Sequence, residues 1–234
     1  MEDYKIKYYD YDVQKYPFVS MIADLFHVDD LSQVHSLLND VTTDKLFTNE
    51  NDDLTLLHDK FYKKLNNGWD KFQKTYIDFI KKIMVDVYDK DRIIYQAKPT
   101  FRVQLPNNIA VGGNETDSPD RYGWHKDTDT EYNHPPFEKN FIVPLTNSDN
   151  TASVYIETYP DSGQFEPAKM RVGEFFQFKG GECIHGNKSN ITNKSRVSID
   201  FRLVLTDDYD ESIIKSSKLT SKKFIIGGYY NSIG

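Results

Sequence analysis

The chain has 234 residues, 38% hydrophobic and 14% aromatic, enough apolar mass to bury a core, so global disorder is excluded. Its 29 Lys and Arg against 36 Asp and Glu give a net charge of −7 with no extended basic run, which argues against a nucleic-acid partner. A lone cysteine (Cys183), no apolar run of membrane-spanning length, and the polar opening Met1-Glu-Asp-Tyr-Lys predict a cytoplasmic protein with no membrane partner.

Residues 1–16 hold five tyrosines and little pattern, and read as an arm lying on the surface or on a partner. Ile22, Leu25, Phe26, Leu31, Val34, Leu37 and Leu38 recur at helical spacing, broken near Asp29-Asp30. A second helical block follows Asp52-Asp53, with Leu54, Leu57, Phe61 and Leu65 on one face and a C-cap at Asn67-Gly68. The third runs from Trp69 through Phe72, Tyr76, Phe79, Ile80, Ile83 and Val87 to Tyr88. After Asp91 the period becomes two. Arg92–Ala97, Thr100–Leu105, Asn140–Leu145, Ser153–Thr158, Glu174–Phe178 and Ser195–Leu205 are β-type runs between Pro, Gly, Asn and Asp turns. Helices first and strands afterwards predict an α+β fold, with N-terminal helices packed on one sheet of an antiparallel sandwich or barrel. No repeat or linker divides the chain, so residues 1–234 read as one domain: a helical part over 1–90, a β part over 91–206 and a C-terminal extension over 207–234.

Six histidines are available. His27, His35 and His58 sit in the helical half beside polar neighbours and read as solvated or capping residues. His125 differs, because Trp124-His125-Lys126-Asp127 follows the Gly-rich, acidic loop from Gly112-Gly113 to Tyr122. In extended backbone, residues i and i+2 face the same way, so His125 and Asp127 can offer an imidazole and a carboxylate to one ion. His185, after the Gly180-Gly181 turn, is the candidate third ligand. Two histidines and one carboxylate on one face of an octahedron leave three positions open, the arrangement of non-haem iron oxygenases. A zinc hydrolase could use the same three residues with one open position.

Eleven residues after His185, a strand alternates Arg196, Ser198, Asp200 and Arg202 with Val197, Ile199, Phe201 and Leu203. A solvent-facing strand would look the same. Turned inward, Arg196 and Ser198 would grip a carboxylate.

Together these residues resemble the iron(II)/2-oxoglutarate-dependent dioxygenases. Pro99-Thr-Phe-Arg-Val-Gln-Leu-Pro106, the stretch from His125 to His134, Glu138-Lys-Asn-Phe-Ile-Val-Pro-Leu-Thr146 and His185-Gly-Asn187 are similar to the subgroup named after the streptomycin-biosynthesis protein StrG, over roughly residues 97–205. The resemblance implies a double-stranded β-helix (jelly roll) core. It implies Fe(II) on His125, Asp127 and His185, with Arg196 on the distal carboxylate of 2-oxoglutarate, Ser198 assisting and Asn140 as a further contact. It also implies O2 as co-substrate, ascorbate as an optional reductant, an Fe(IV)-oxo oxidant, and succinate and CO2 as products. Halogenases of this superfamily lack the carboxylate ligand, so Asp127 argues against halogenation, whereas desaturation or epimerisation stays open.

The expected substrate is a small polar metabolite, a sugar, aminocyclitol or amino-acid derivative. Arg102, Gln104, Glu157 and His134 are the candidate contacts. An internal Arg102–Glu157 or Arg202–Asp200 ion pair would serve those charges equally well. The remaining alternative is a catalytically silent jelly-roll binding module. The N-terminal helices and the two tails are the segments through which a homodimer would form.

Overall fold

Pro17 ends the N-terminal arm, and the apolar spacing of Phe18, Met21, Ile22 and Phe26 makes Phe18–Phe26 the first helix, α1. It stops at His27, which takes the left-handed conformation (φ 59°) and returns its N–H to the turn before it. The break expected at Asp29-Asp30 is a cap. The Asp30 carboxylate accepts from Ser32 N–H and starts a 3-10 helix over Leu31–Leu37. Helices α2 (Leu56–Asn66) and α3 (Asp70–Asp86) follow, separated by Gly68 at φ 89°. The computed structural model describes residues 2–38, 56–108, 122–218 and 221–234. Leu54, the acidic start at 52–53 and the Gly112-Gly113 loop therefore lie outside the described residues. Among the described residues no helix is long and apolar enough to cross a membrane.

The strands are β1 (Lys7–Asp10), β2 (Ile93–Gln96), β3 (Thr100–Gln104), β4 (Tyr122–His125), β5 (Lys139–Pro144), β6 (Val154–Glu157), β7 (Phe165–Pro167), β8 (Glu174–Phe178), β9 (His185–Asn187), β10 (Arg196–Leu205) and β11 (Tyr230–Ile233). They form two antiparallel sheets. The larger runs β1-β8-β5-β10-β2-β11, with β3 also on β10, and the smaller runs β4-β9-β6-β7. The ten-residue β10 organises the larger sheet. One edge lies on β5, while the other meets β3 from Arg196↔Gln104 to Asp200↔Thr100 and then β2 from Leu203↔Tyr95 to Leu205↔Ile93.

Alternation along β10 divides the molecule into layers. Val197, Ile199, Phe201 and Leu203 join Phe18, Phe61, Phe72 and Phe79 of the helices in one core. Tyr76 meets the Phe201 ring at 5.6 Å and Phe79 meets Phe175 at 5.1 Å. Each such buried aromatic contributes about 1.5–3 kcal/mol. The opposite face of the sheet looks toward the smaller sheet. Ile142, cross-strand from Asp200, packs with Val154 and Ile156 of β6. The polar residues of β10 are therefore interior, and a solvent-facing strand is excluded.

Two tails depart from expectation. Residues 7–10 of the Tyr-rich arm are edge strand β1, paired with β8, and Tyr9 stacks on Phe175 at 5.1 Å. The C-terminal extension returns to the sheet as β11 on β2. Two of the three helical-half histidines also depart from a solvated reading. His58 is buried against Phe101, and His35 Nδ1 lies 2.9 Å from Ser195 Oγ.

Candidate metal centre

Strand pairing assembles the site. β4 and β9 are antiparallel, and their register sets His125 directly opposite His185, with ring centroids 4.6 Å apart. Asp127 lies just past the end of β4, where its N–H donates to Gly180 O (2.8 Å) and its carbonyl accepts from His134 N–H (2.9 Å). Asp127 Oδ1 is 3.4 Å from His125 Nε2 and 3.7 Å from His185 Nε2, a span one ion could bridge. The structure thus brings His125, Asp127 and His185 together.

Each ligand atom is oriented by its neighbours. His185 Nδ1 faces the Cys183 carbonyl at 3.2 Å; a carbonyl only accepts, so Nδ1 carries the proton and Nε2 keeps its lone pair. Burial, reinforced by neighbouring His125, pushes His185 down to about 4, so the ring is neutral at ordinary pH. His125 stacks on Tyr132 at 4.0 Å. Burial alone would raise the Asp127 pKa. The Arg202 guanidinium on Oδ2 (Nη2, 2.9 Å), with His125 beside it, instead holds the carboxyl well below the usual range. Asn140 Nδ2 also donates to Oδ2. Asn140 reaches it because residue 180 is glycine: a Cβ there would lie 2.7 Å from the Asn140 amide nitrogen.

Arg196 is buried, 2% exposed, and its Nε has no hydrogen-bond partner; among the described residues no carboxylate pairs with the guanidinium. Burial pushes its pKa down to about 10, against the attraction of Asp200. A buried cation with no direct partner among the described residues is costly to hold. Ser198 Oγ donates to Asp200 Oδ1 at 3.3 Å on the same face. Two imidazoles and one carboxylate are a donor set that could hold a divalent metal ion.

The remaining candidates divide. Arg102 Nε donates to Asp200 Oδ2 at 3.0 Å and its side chain is 33% exposed. Gln104 is fully buried with Nε2 on the carbonyls of Lys188 (2.6 Å) and Thr151 (3.2 Å), and Oε1 without a partner. Glu157 departs from the expected mouth position. Its oxygens accept from the backbone N–H groups of Gly163 and Ile184, so it clamps a turn to β9. Neither anticipated ion pair forms: Arg102 takes Asp200, and Arg202 takes Asp127 and Glu138. His134 Nδ1 donates to Glu138 Oε2 at 2.8 Å, with its ring on Phe224. Sequence reasoning missed Glu138, Tyr132, Tyr229 and Tyr230. It had Arg202 on the right face by alternation alone, with no signal that Asp127 would meet it.

No family model matches the chain. A Pseudomonas putida prolyl-4-hydroxylase is 12% identical with a TM-score of 0.38, over 58% of this chain and 67% of that one. AviO1 from Streptomyces viridochromogenes Tue57 is 13% identical with a TM-score of 0.37, over 56% of this chain and 59% of its own. The sequence likeness is far more extensive. At 30% identity over 223 residues, covering 95% of this chain and 96% of the relative, the chain belongs to the family of the streptomycin biosynthesis protein StrG of Streptomyces griseus.

Proposed function

We propose that the protein is an Fe(II)/2-oxoglutarate-dependent oxygenase that hydroxylates a small polar metabolite, acting without a nucleic-acid or membrane partner. The observation that carries this reading is the buried guanidinium of Arg196, unpaired among the described residues, in the same interior as the His125, Asp127 and His185 ligand atoms. One group asks for a carboxylate and the other three for a divalent ion, and 2-oxoglutarate joins both demands in one molecule. The strand orders support a double-stranded β-helix, since β3-β10-β5-β8 and β4-β9-β6-β7 are two four-stranded antiparallel faces between which the chain crosses repeatedly.

The protein's part in the chemistry follows from its contacts. His125 and His185 would donate Nε2, and Asp127 would donate Oδ1 while Arg202 and Asn140 engage Oδ2. Arg196 would bind and orient the distal carboxylate of 2-oxoglutarate. Iron held there would supply the redox chemistry by which O2 oxidises both a substrate C–H bond and 2-oxoglutarate, the latter giving succinate and CO2. Partly exposed Arg102 and its partner Asp200 are the polar groups best placed to meet a substrate.

Anaerobic titration of the protein with Fe(II) and 2-oxoglutarate tests the reading. A metal-to-ligand charge-transfer band is expected in the wild type. His185→Ala should abolish it, and Arg196→Met should shift its half-saturation in 2-oxoglutarate by roughly 10- to 150-fold, equivalent to about 1.5–3 kcal/mol for a charge-assisted bond. With pooled amino acids, amino sugars and nucleotide sugars under O2 and ascorbate, one pool should release succinate above background and yield a product heavier by one oxygen atom. Absence of the band in the wild type would sink the assignment.

A further inference from the structure

The two oxygens of Asp127 have different surroundings. Oδ1 faces the two histidines, while Oδ2 accepts from Arg202 Nη2 (2.9 Å), Arg202 Nε (3.3 Å) and the Asn140 amide. A carboxylate free to turn about its Cβ–Cγ bond would present either oxygen, or both, to an ion. Donors gathered on one side remove that freedom.

Arg202 is itself held. Its Nε lies 3.2 Å from Glu138 Oε2, and its Nη1 donates to Tyr229 Oη at 3.4 Å. Glu138 also accepts the Nδ1–H of His134 and, on Oε1, the hydroxyl of Tyr230. Arg202, Glu138 and Tyr230 are all buried, so these bonds operate with little competition from water. Tyr230 opens β11, and Phe224 of the same segment packs on His134 at 4.3 Å and on Tyr229 at 5.0 Å. A continuous line of polar contacts therefore runs from the C-terminal segment to the carboxylate that faces the ion.

We propose that residues 224–233 act as a positioning strut for Asp127. Through Tyr230, Glu138 and Arg202 the segment keeps Oδ1 turned toward His125 and His185, so divalent-ion affinity and docking of the segment are coupled. The inference rests on reading the triad as a metal site. Arg202, Glu138 and Tyr230 are positioning residues, acting on the ion only through Asp127. Partners in this outer layer typically change metal affinity by about 10- to 100-fold. Because coupling is reciprocal, the ion must also stabilise the docked segment.

The test uses the full chain, metal-free, titrated with Co(II). Affinity is read by calorimetry, ligand geometry by the visible d–d bands, and segment docking by hydrogen exchange. Glu138→Gln should weaken Co(II) binding about tenfold or more and alter the d–d bands, in the range seen for such partners. Tyr230→Phe, which removes a single hydroxyl and serves if Glu138→Gln does not fold, should weaken it measurably but less than Glu138→Gln, with an unchanged circular-dichroism spectrum. Tyr8→Phe, at the far edge of the sheet, should bind as wild type does. Co(II) should slow exchange in β11 more than in β1. Binding by Tyr230→Phe and Glu138→Gln within experimental error of wild type, with exchange in β11 indifferent to the ion, overturns the strut and leaves the metal site standing. A wild-type protein that does not bind Co(II) overturns both.

Discussion

His58 shows how one residue's surroundings become a property of the whole chain. Its ring is buried against Phe101, and burial, with the nearby positive charge of Arg102, lowers its pKa from 6.5 to about 4. Between those values the unfolded chain holds a proton that the folded one excludes, so stability rises with pH across the window. The contribution is fully present above pH 6.5 and is lost as pH falls toward 4. Urea unfolding at pH 7 and pH 4 should show the wild type losing up to about 3 kcal/mol more than His58→Phe, at 1.36 kcal/mol per pKa unit. Equal losses in the two proteins would mean that the ring is protonated in the fold. In sequence His58 sits between Leu57 and Asp59, and nothing there reports burial. The His125-x-Asp127 pair, by contrast, could be proposed from local spacing, although Asp127 sits in the turn just past β4 and not in extended strand.

At the scale of elements, β9 is the critical piece, three residues long with His185 at its start. Its middle residue is glycine for a steric reason. The Trp124 indole lies flat over Gly186, where a Cβ would come within 2.4 Å of the ring, and Trp124 Nε1 donates to Asn187 O at 2.9 Å. Gly186→Ala must push the indole or the strand aside, at a typical cost of about 1–3 kcal/mol for overpacking. Because His125 and His185 face each other across this pair of strands, the same shift should reach the ligand atoms. Thermal unfolding should show a lowered midpoint, and Co(II) binding should weaken in parallel. An unchanged midpoint would mean that the indole swings away freely. Strands β7 and β9 escaped sequence reading because three residues hold too little alternation to signal a strand. Their structure comes from partners far along the chain. The longer β10 and β5 were readable, and so was the helical spacing of α3.

For the whole molecule, both tails close the larger sheet. β1 covers the β8 edge, with Tyr8 against Phe176 at 5.5 Å and Tyr9 against Phe175, while β11 covers β2. An uncovered edge of this kind invites pairing with another chain. Deleting residues 1–10 should therefore lower the unfolding midpoint and produce concentration-dependent association by sedimentation. A deletion variant that stays at the wild-type molecular mass would show that β8 needs no cover. The tails were the least legible parts of the sequence, because tyrosine-rich and polar stretches acquire meaning only from the edge they meet.

The alternation of β10 has a consequence for how such a protein can change over generations. Val197, Ile199, Phe201 and Leu203 answer to the helices, whereas Arg196, Ser198, Asp200 and Arg202 answer to the interior between the sheets. The two sets are interleaved in sequence but face opposite sides of the sheet. Drift at Ser198 or Asp200 can explore new ligands without disturbing the helix layer, and helix packing can be re-tuned without touching the chemistry. Evolvability is thus written into a single strand, with two vocabularies on alternate letters.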